Sequence, residues 1–144
     1  MTSVFGNMSR RGEGGFEITP PTGSFLDAPA RLVFVSDEGV AEAGASSEYR
    51  VHLQAYQKTD AAAIVHAHPP YAVALSLSCD AIVPADSEGG KMLLPRIPVV
   101  DGEPGTDELA ENIGTALVSS PPLSLHGGDM GPLHGQRHSW MLIS

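Results

Sequence analysis

The stretch Ala61-Ala-Ala-Ile-Val-His66-Ala-His68-Pro-Pro-Tyr71 lies near the middle of the chain. Residues 61–67 form a short apolar run rich in small and β-branched residues, and a Pro-Pro pair follows, which predicts a buried strand. Successive side chains of a strand point to opposite faces, so His66 and His68 should project to the same side. Neutral imidazole is a common zinc ligand, and a pair at this spacing favours a metal site over two structural histidines.

Strands and helices alternate on both sides of this stretch, which predicts an α/β fold with helices layered on a sheet. The predicted strands cover residues 16–19, 31–36, 61–67, 81–84 and 123–125. The predicted helices begin at 46–48, at 71 and at 106, and the last two end at 78 and 119. Segment 93–100 contains two prolines, so it should be an edge strand or an extended covering segment. At 144 residues, the chain is expected to form one domain.

Three polar stretches are compatible with either a binding site or a loop. Glycine beside Asn, Ser and Thr in residues 5–15 and 20–24 suits turns with converging amides, an anion nest, but equally suits a flexible polar loop. Asp86, Ser87 and Glu88 could bind metal, although a solvated turn is the better interpretation.

A helix is expected to open at Ser46-Ser47-Glu48, because serine is a preferred N-cap and an acid in the first turn complements the helix dipole. Tyr49, Leu53 and Tyr56 recur at helical spacing and should form its buried stripe. His52 lies one turn after Glu48. We interpret His52 as a packing or surface residue, since its spacing to His66 follows no ligand pattern.

The composition limits the expected binding partners and cellular compartment of the protein. The chain has 8 basic and 17 acidic residues, a net charge of -9, which disfavours a nucleic-acid surface. A phosphate ligand remains compatible with this charge, because backbone N–H groups can hold it locally. Cys79 is the single cysteine, which excludes an internal disulfide and favours a reducing cytoplasm. No segment has the pattern of a secretory leader or a membrane span.

Five short motifs in this order carry a resemblance to a known family. They are Gly6-Asn7-Met8-Ser9, Thr19-Pro20-Pro21-Thr22-Gly23, Ser46-Ser47-Glu48, His66-Ala67-His68-Pro69-Pro70 and His126-Gly127. Together they resemble the class II aldolase/adducin family, and residues 86–89, 97–100 and 105–110 resemble its short, archaeal-type L-fuculose-1-phosphate aldolase branch. The resemblance implies an α/β/α layered sandwich with a largely antiparallel central sheet.

The resemblance also implies an activity and a set of site residues. The activity is zinc-dependent cleavage of a small ketose 1-phosphate to dihydroxyacetone phosphate and an aldehyde; another divalent transition metal could replace zinc. The metal ligands would be His66, His68 and His126, with Glu48 as the catalytic acid/base. The implied phosphate-binding residues are Asn7, Thr22, Gly23, Ser46 and Ser47. Family members assemble as cyclic tetramers, so a homo-oligomer is expected.

The tail from residue 128 to 144 departs from the family pattern. It shows no helical periodicity and offers no match for the tyrosine that an adjoining subunit often contributes. His134 and His138 would be rival ligands only in a helix, which Gly131, Pro132 and Gly135 disfavour. Three alternative functions stay open: a sugar-phosphate epimerase, a dehydratase, and an inactive adducin-like interaction module.

Overall fold

The computed structural model describes residues 6–21, 31–85, 96–119, 124–125 and 140–143, the last two ranges as backbone alone. Six strands form one sheet in the spatial order β3-β2-β1-β4-β8-β7, and every pair in it is antiparallel. The strands are β1 (Gly6–Gly12), β2 (Gly15–Ile18), β3 (Val33–Ser36), β4 (Ala63–Ala67), β7 (Ser124–Leu125) and β8 (Trp140–Ile143). Strands β5 (Ala81–Ile82) and β6 (Ile97–Pro98) pair separately. The helices are α1 (Tyr49–Lys58), α2 (Pro70–Ser76) and α3 (Asp107–Ser119).

The predicted α/β class with a largely antiparallel sheet is confirmed. Helices α1 and α3 pack against each other and against the sheet face that carries Ile18, Val35 and Ile64. Burying an aliphatic side chain of this size contributes about 1.5–3 kcal/mol each. The other core residues from the two helices and strand β2 are Phe16, Val51, Ala55, Tyr56, Leu109, Ala110, Ile113 and Leu117.

Strand β1 corrects the expectation that residues 5–15 form turns or a polar loop. It lies in the interior of the sheet, paired with β2 on one side and β4 on the other. Its inward-facing Asn7 and Ser9 are polar, so the strand lacks the alternating apolar pattern that identifies most half-buried strands. The turn residues Glu13 and Gly14 connect β1 to β2, as the glycine content suggested.

The two long helices begin differently. Thr106 precedes α3, and its Oγ1 accepts a hydrogen bond from the Leu109 backbone N–H at 3.2 Å, so the predicted threonine cap is confirmed. The serine cap predicted for α1 is wrong, because Glu48 occupies the N-cap position and makes no capping bond with its side chain. Ser46 lies two residues earlier, and its Oγ accepts a hydrogen bond from the Glu48 backbone N–H at 3.4 Å.

The C-terminal segment contributes strand β8, which the sequence analysis missed. Met141 and Leu142 pair with Val65 and Ile64 of β4, while β7 pairs with the other edge of β8. The brief strand predicted at 123–125 is confirmed by β7. Within the ranges described above, no helix has the length and apolar character needed to cross a membrane.

Candidate active site

His66 and His68 lie side by side at the end of β4, as their spacing predicts. Their ring centroids are 4.7 Å apart, with an angle of 44° between the ring planes. His66 is buried in the strand, and His68 follows the strand and is half-buried. Burial lowers the pKa of His68, which favours the neutral imidazole that a metal requires. The donor type and the proximity of the two rings therefore fit a transition-metal ion such as zinc.

The Asn7 side chain connects His66 to the rest of the site. Strand pairing places Asn7 directly opposite His66, with both side chains buried. Asn7 Nδ2 lies 3.2 Å from His66 Nδ1 and donates to Ser46 Oγ at 3.2 Å. Its other amide atom, Oδ1, lies 2.5 Å from His52 Nε2. One amide therefore contacts two imidazoles and the turn that leads into α1.

His52 is fully buried beneath Asn7, at 0% exposure. Its Nδ1 lies 2.6 Å from Ser9 Oγ, which in turn lies 2.7 Å from the Tyr56 hydroxyl. Burial lowers the pKa of His52 to about 3, so the ring is neutral at physiological pH. The packing alternative predicted for His52 is correct and the surface alternative is wrong.

The polar chain continues from Tyr56 to the surface. The Arg11 guanidinium lies over the Tyr56 ring, 4.6 Å from its centroid, and donates to the Tyr56 and Ala61 carbonyl oxygens. Burial raises the pKa of Tyr56, and the Ser9 hydrogen bond and the Arg11 charge oppose that shift. Residues 7, 9 and 11 of β1 thus face residues 52 and 56 of α1 along one continuous line of polar contacts.

Glu48 is buried at the entrance to α1, with 8% of its surface exposed. Burial raises the pKa of its carboxyl group, and a hydrogen bond from the Gly105 backbone partly opposes this shift. Among the described residues, no hydrogen-bond partner contacts Glu48 Oε2. A buried carboxyl group with a raised pKa keeps its proton to a higher pH than an exposed one and can give it to a substrate.

Gly105 has a backbone conformation suited to this contact. Its φ is +71°, a left-handed conformation that glycine adopts at little cost. A Cβ at this position would lie 3.3 Å from Ser47 Cβ, so a side chain would also crowd the turn before α1. Glycine therefore lets the loop before α3 approach Glu48 closely.

The predicted phosphate-binding residues are only partly within the described ranges. Ser46 is buried beside Asn7, and Ser47 is exposed in the same turn. Thr22 and Gly23 lie outside the described residues, as do the third predicted ligand His126, the rival ligands His134 and His138, and segment 86–88. In the part of the chain that is described, no three His, Cys, Asp or Glu side chains converge to hold a metal.

Sequence reasoning missed the connection between His52, Ser9 and Tyr56. Two signals were available: polar residues at every second position of 7–11, and His52 and Tyr56 four residues apart on one helix face. These signals are informative only once β1 is recognised as a strand packed beneath α1.

Comparison with known proteins identifies the family of this chain. The Class II Aldolase and Adducin N-terminal domain matches residues 1–127. An L-fuculose phosphate aldolase of Methanococcus maripaludis strain C7 is 33% identical over 127 residues, covering 85% of this chain and 69% of that protein.

Two solved structures are also similar. The L-fuculose-1-phosphate aldolase of Thermus thermophilus superposes with a TM-score of 0.81 at 33% identity, covering 99% of this chain and 70% of that one. Another L-fuculose 1-phosphate aldolase gives a TM-score of 0.74 at 26% identity, covering 97% of this chain and 66% of that one.

Proposed function

Because this chain belongs to the class II aldolase and adducin family, we propose that it is a metal-dependent aldolase. Its substrate would be a small ketose 1-phosphate similar to L-fuculose 1-phosphate, cleaved to dihydroxyacetone phosphate and an aldehyde. The observation that carries this proposal is the buried Glu48 carboxyl group, in a turn joined to the histidine pair by hydrogen bonds. These bonds run from His66 Nδ1 through Asn7 and Ser46 Oγ to the Glu48 backbone N–H.

The metal would be held by His66 and His68, with His126 as the third ligand. Three neutral imidazoles leave the ion's positive charge undiminished and keep coordination positions open for substrate oxygens. A bound zinc or similar divalent ion supplies Lewis-acid stabilisation of the negative charge that develops at the substrate ketone. His66 is fixed by strand pairing and by Asn7, which holds one of the ligands in place before the ion arrives.

Glu48 would exchange the proton at the carbon next to the ketone. When the carbon–carbon bond breaks, its electron pair stays with the ketone fragment as an enediolate, and the hydroxyl-bearing carbon becomes the aldehyde as the Glu48 carboxylate takes up the hydroxyl proton. The enediolate must then gain a proton at carbon to give dihydroxyacetone phosphate. Glu48, now a carboxyl group whose pKa is raised by burial, gives this proton to the carbon, and the resulting carboxylate accepts it in the reverse direction.

The substrate phosphate would bind beside the turn that precedes α1. Ser46 and Ser47 belong to this turn, and the start of a helix offers N–H groups and a favourable dipole for an anion. Thr22 and Gly23 complete the predicted set; Asn7 would act through Ser46, since its amide already contacts Ser46, His66 and His52. Such local contacts suit an acidic protein, since they hold one phosphate without requiring a basic surface.

Glu48→Gln tests the proposal directly. The amide keeps the shape of the side chain but cannot carry the proton, so we expect loss of roughly 100-fold or more in the rate of dihydroxyacetone phosphate release. Bound metal, measured by elemental analysis, should remain at the wild-type ratio. Arg10→Ala, on the outward face of β1, is the matched control and should keep wild-type rates. Full activity in Glu48→Gln would contradict the assigned role.

The same assay separates the alternatives. Metal binding without release of dihydroxyacetone phosphate would support an epimerase or a dehydratase, which can be assayed on the corresponding sugar phosphates. Absence of metal would support an interaction module.

We further propose a single domain over residues 1–144 that acts in the cytoplasm as a homo-tetramer. The single cysteine agrees with a reducing compartment. Family resemblance supports the tetramer, and sedimentation equilibrium tests it.

A further inference from the structure

We propose that Asn7, supported by His52, determines which ring nitrogen of His66 carries the proton. Metal binding at His66 then reverses the hydrogen bonds that run from Asn7 through His52 to Ser9. This inference rests on the proposed function only in taking His66 as a metal ligand. It makes Asn7 and His52 positioning residues for the metal site.

The hydrogen bonds around Asn7 in this structure form a consistent set in one direction. Asn7 Nδ2 carries two hydrogens, one for Ser46 Oγ and one for His66 Nδ1. His66 Nδ1 must therefore accept, which places the proton of the neutral ring on Nε2. His52 likewise donates from Nε2 to Asn7 Oδ1, and its Nδ1 accepts from Ser9.

A metal ion bound to His66 is incompatible with this arrangement of hydrogen-bond donors and acceptors. Because Nδ1 of His66 faces Asn7, the ring can bind a metal only through Nε2, and a coordinating nitrogen carries no proton. The proton of the neutral ring must then lie on Nδ1, which becomes a donor. With Asn7 unchanged, two donors would face each other across 3.2 Å. Rotation of the Asn7 amide by a half-turn removes the conflict by presenting Oδ1 to His66.

The rotated amide forces a second change at His52. Asn7 Nδ2 now faces His52 Nε2, which must become an acceptor, so the proton of that neutral ring moves to Nδ1. His52 Nδ1 then donates to Ser9 Oγ, and the Ser9 hydroxyl turns to donate to Tyr56. Ser46 Oγ, which accepted from Asn7 Nδ2, now faces Oδ1, and its hydroxyl turns to donate to that oxygen. Each imidazole keeps one proton throughout, and the amide keeps two. The reversal therefore needs neither a net proton nor a shift of the backbone.

Burial of this network couples its hydrogen bonds strongly to one another. Asn7, Ser9, His52 and His66 are all buried, so water cannot readily satisfy a donor that faces another donor. Partners that orient a ligand histidine typically change metal affinity by about 10–100-fold when they are removed. The packing of α1 on β1 thereby couples the position of the His52 proton to metal binding at His66.

Nitrogen-15 NMR of the histidine rings tests the inference, because protonated and unprotonated ring nitrogens have well-separated shifts. Spectra of the full chain are compared without metal and with Zn²⁺, and the signals are assigned with His52→Gln and His66→Ala. We expect the protons of both His66 and His52 to lie on Nε2 without metal and on Nδ1 with zinc. A His52 ring that keeps the same protonated nitrogen when zinc binds would overturn the inference.

Substitutions at Asn7 give a second, independent test. Asn7→Leu removes the acceptor for His66, and we expect zinc affinity to fall about 10–100-fold. Asn7→Asp offers acceptors to both rings, so zinc affinity should stay at least at the wild-type level while His52 keeps its proton on Nε2 in both states. Arg10→Ala is the control on the opposite face of β1. Wild-type zinc affinity in a folded Asn7→Leu protein would contradict the proposal; if that variant does not fold, the NMR comparison decides.

These measurements distinguish failure of the inference from failure of the proposed function. Zinc binding that leaves His52 unchanged overturns the coupling and leaves the aldolase proposal intact. Coupled proton shifts without release of dihydroxyacetone phosphate support the coupling and overturn the aldolase proposal. Absence of zinc binding by the wild-type chain overturns both.

Discussion

The fully buried imidazole of His52 makes the fold sensitive to weak acid. Its pKa is about 3 in the folded chain and 6.5 when exposed. Between these values the unfolded chain binds a proton that the folded chain does not. The contribution of His52 to the free energy of unfolding is therefore fully present above the pKa of the exposed ring, and it decreases as the pH drops toward the pKa of the buried ring.

The size of this effect follows from the two pKa values. Going from about pH 7.5 to about pH 5 should cost the folded state about 2 kcal/mol from this residue alone. No discount for solvent screening applies, because the side chain has no exposed surface. The lowered pKa of His68 acts in the same direction, whereas the raised pKa of Glu48 gives stability that increases as the pH falls.

A comparison with His52→Gln isolates the contribution of His52. Glutamine can donate and accept hydrogen bonds but does not titrate in this range, so the effects of His68 and Glu48 cancel between the two proteins. Urea unfolding at the two pH values, with chelator present, gives the four free energies required. We expect the wild type to lose about 2 kcal/mol more than the variant. Equal losses would mean that His52 accepts a proton inside the fold, and the reasoning would be refuted.

Three further substitutions test other parts of the structure. His66→Ala should abolish both metal binding and activity, measured by elemental analysis and by the dihydroxyacetone phosphate assay; retention of metal would exclude His66 as a ligand. Gly105→Ala should destabilise the fold by about 1–2 kcal/mol because φ is positive there. Loss of the hydrogen bond from the Gly105 backbone should also raise the pKa of Glu48 further, which the pH–rate profile would show as a shift. Ile64→Ala should cost about 2–5 kcal/mol in urea unfolding because the side chain is buried in the core, with metal stoichiometry unchanged in the folded fraction.

The histidine pair was predictable because its signal is local. Strand alternation alone places His66 and His68 on one side, and the observed ring separation agrees. Helix α3 was predictable for the same reason, since Thr106 and the apolar repeat that follows it lie within one short segment.

Strand β1 was not recognised from the sequence because the residues on its inward face are polar. Asn7 and Ser9 are buried through hydrogen bonds to α1, so hydrophobic alternation does not reveal them. The role of His52 depends on the same long-range contact, which joins residues 43 positions apart. Strand β8 was missed for a different reason: Trp140–Ile143 is a continuous apolar run, which has no alternation to identify it as a strand.

Strand register connects the apolar core to the chemistry of the site. Asn7 lies opposite His66 in the same β1–β4 ladder that places Ser9 opposite Ile64. A slip of one residue would turn Asn7 and Ser9 to the outer face and separate His66 from its partner. Burial of Ile64 and Ile18 on the inner face, together with the hydrogen bonds to α1, opposes such a slip. The residues that stabilise the fold therefore also fix the distance from Asn7 to His66, and any loosening of this register should reduce metal affinity before the sheet is lost.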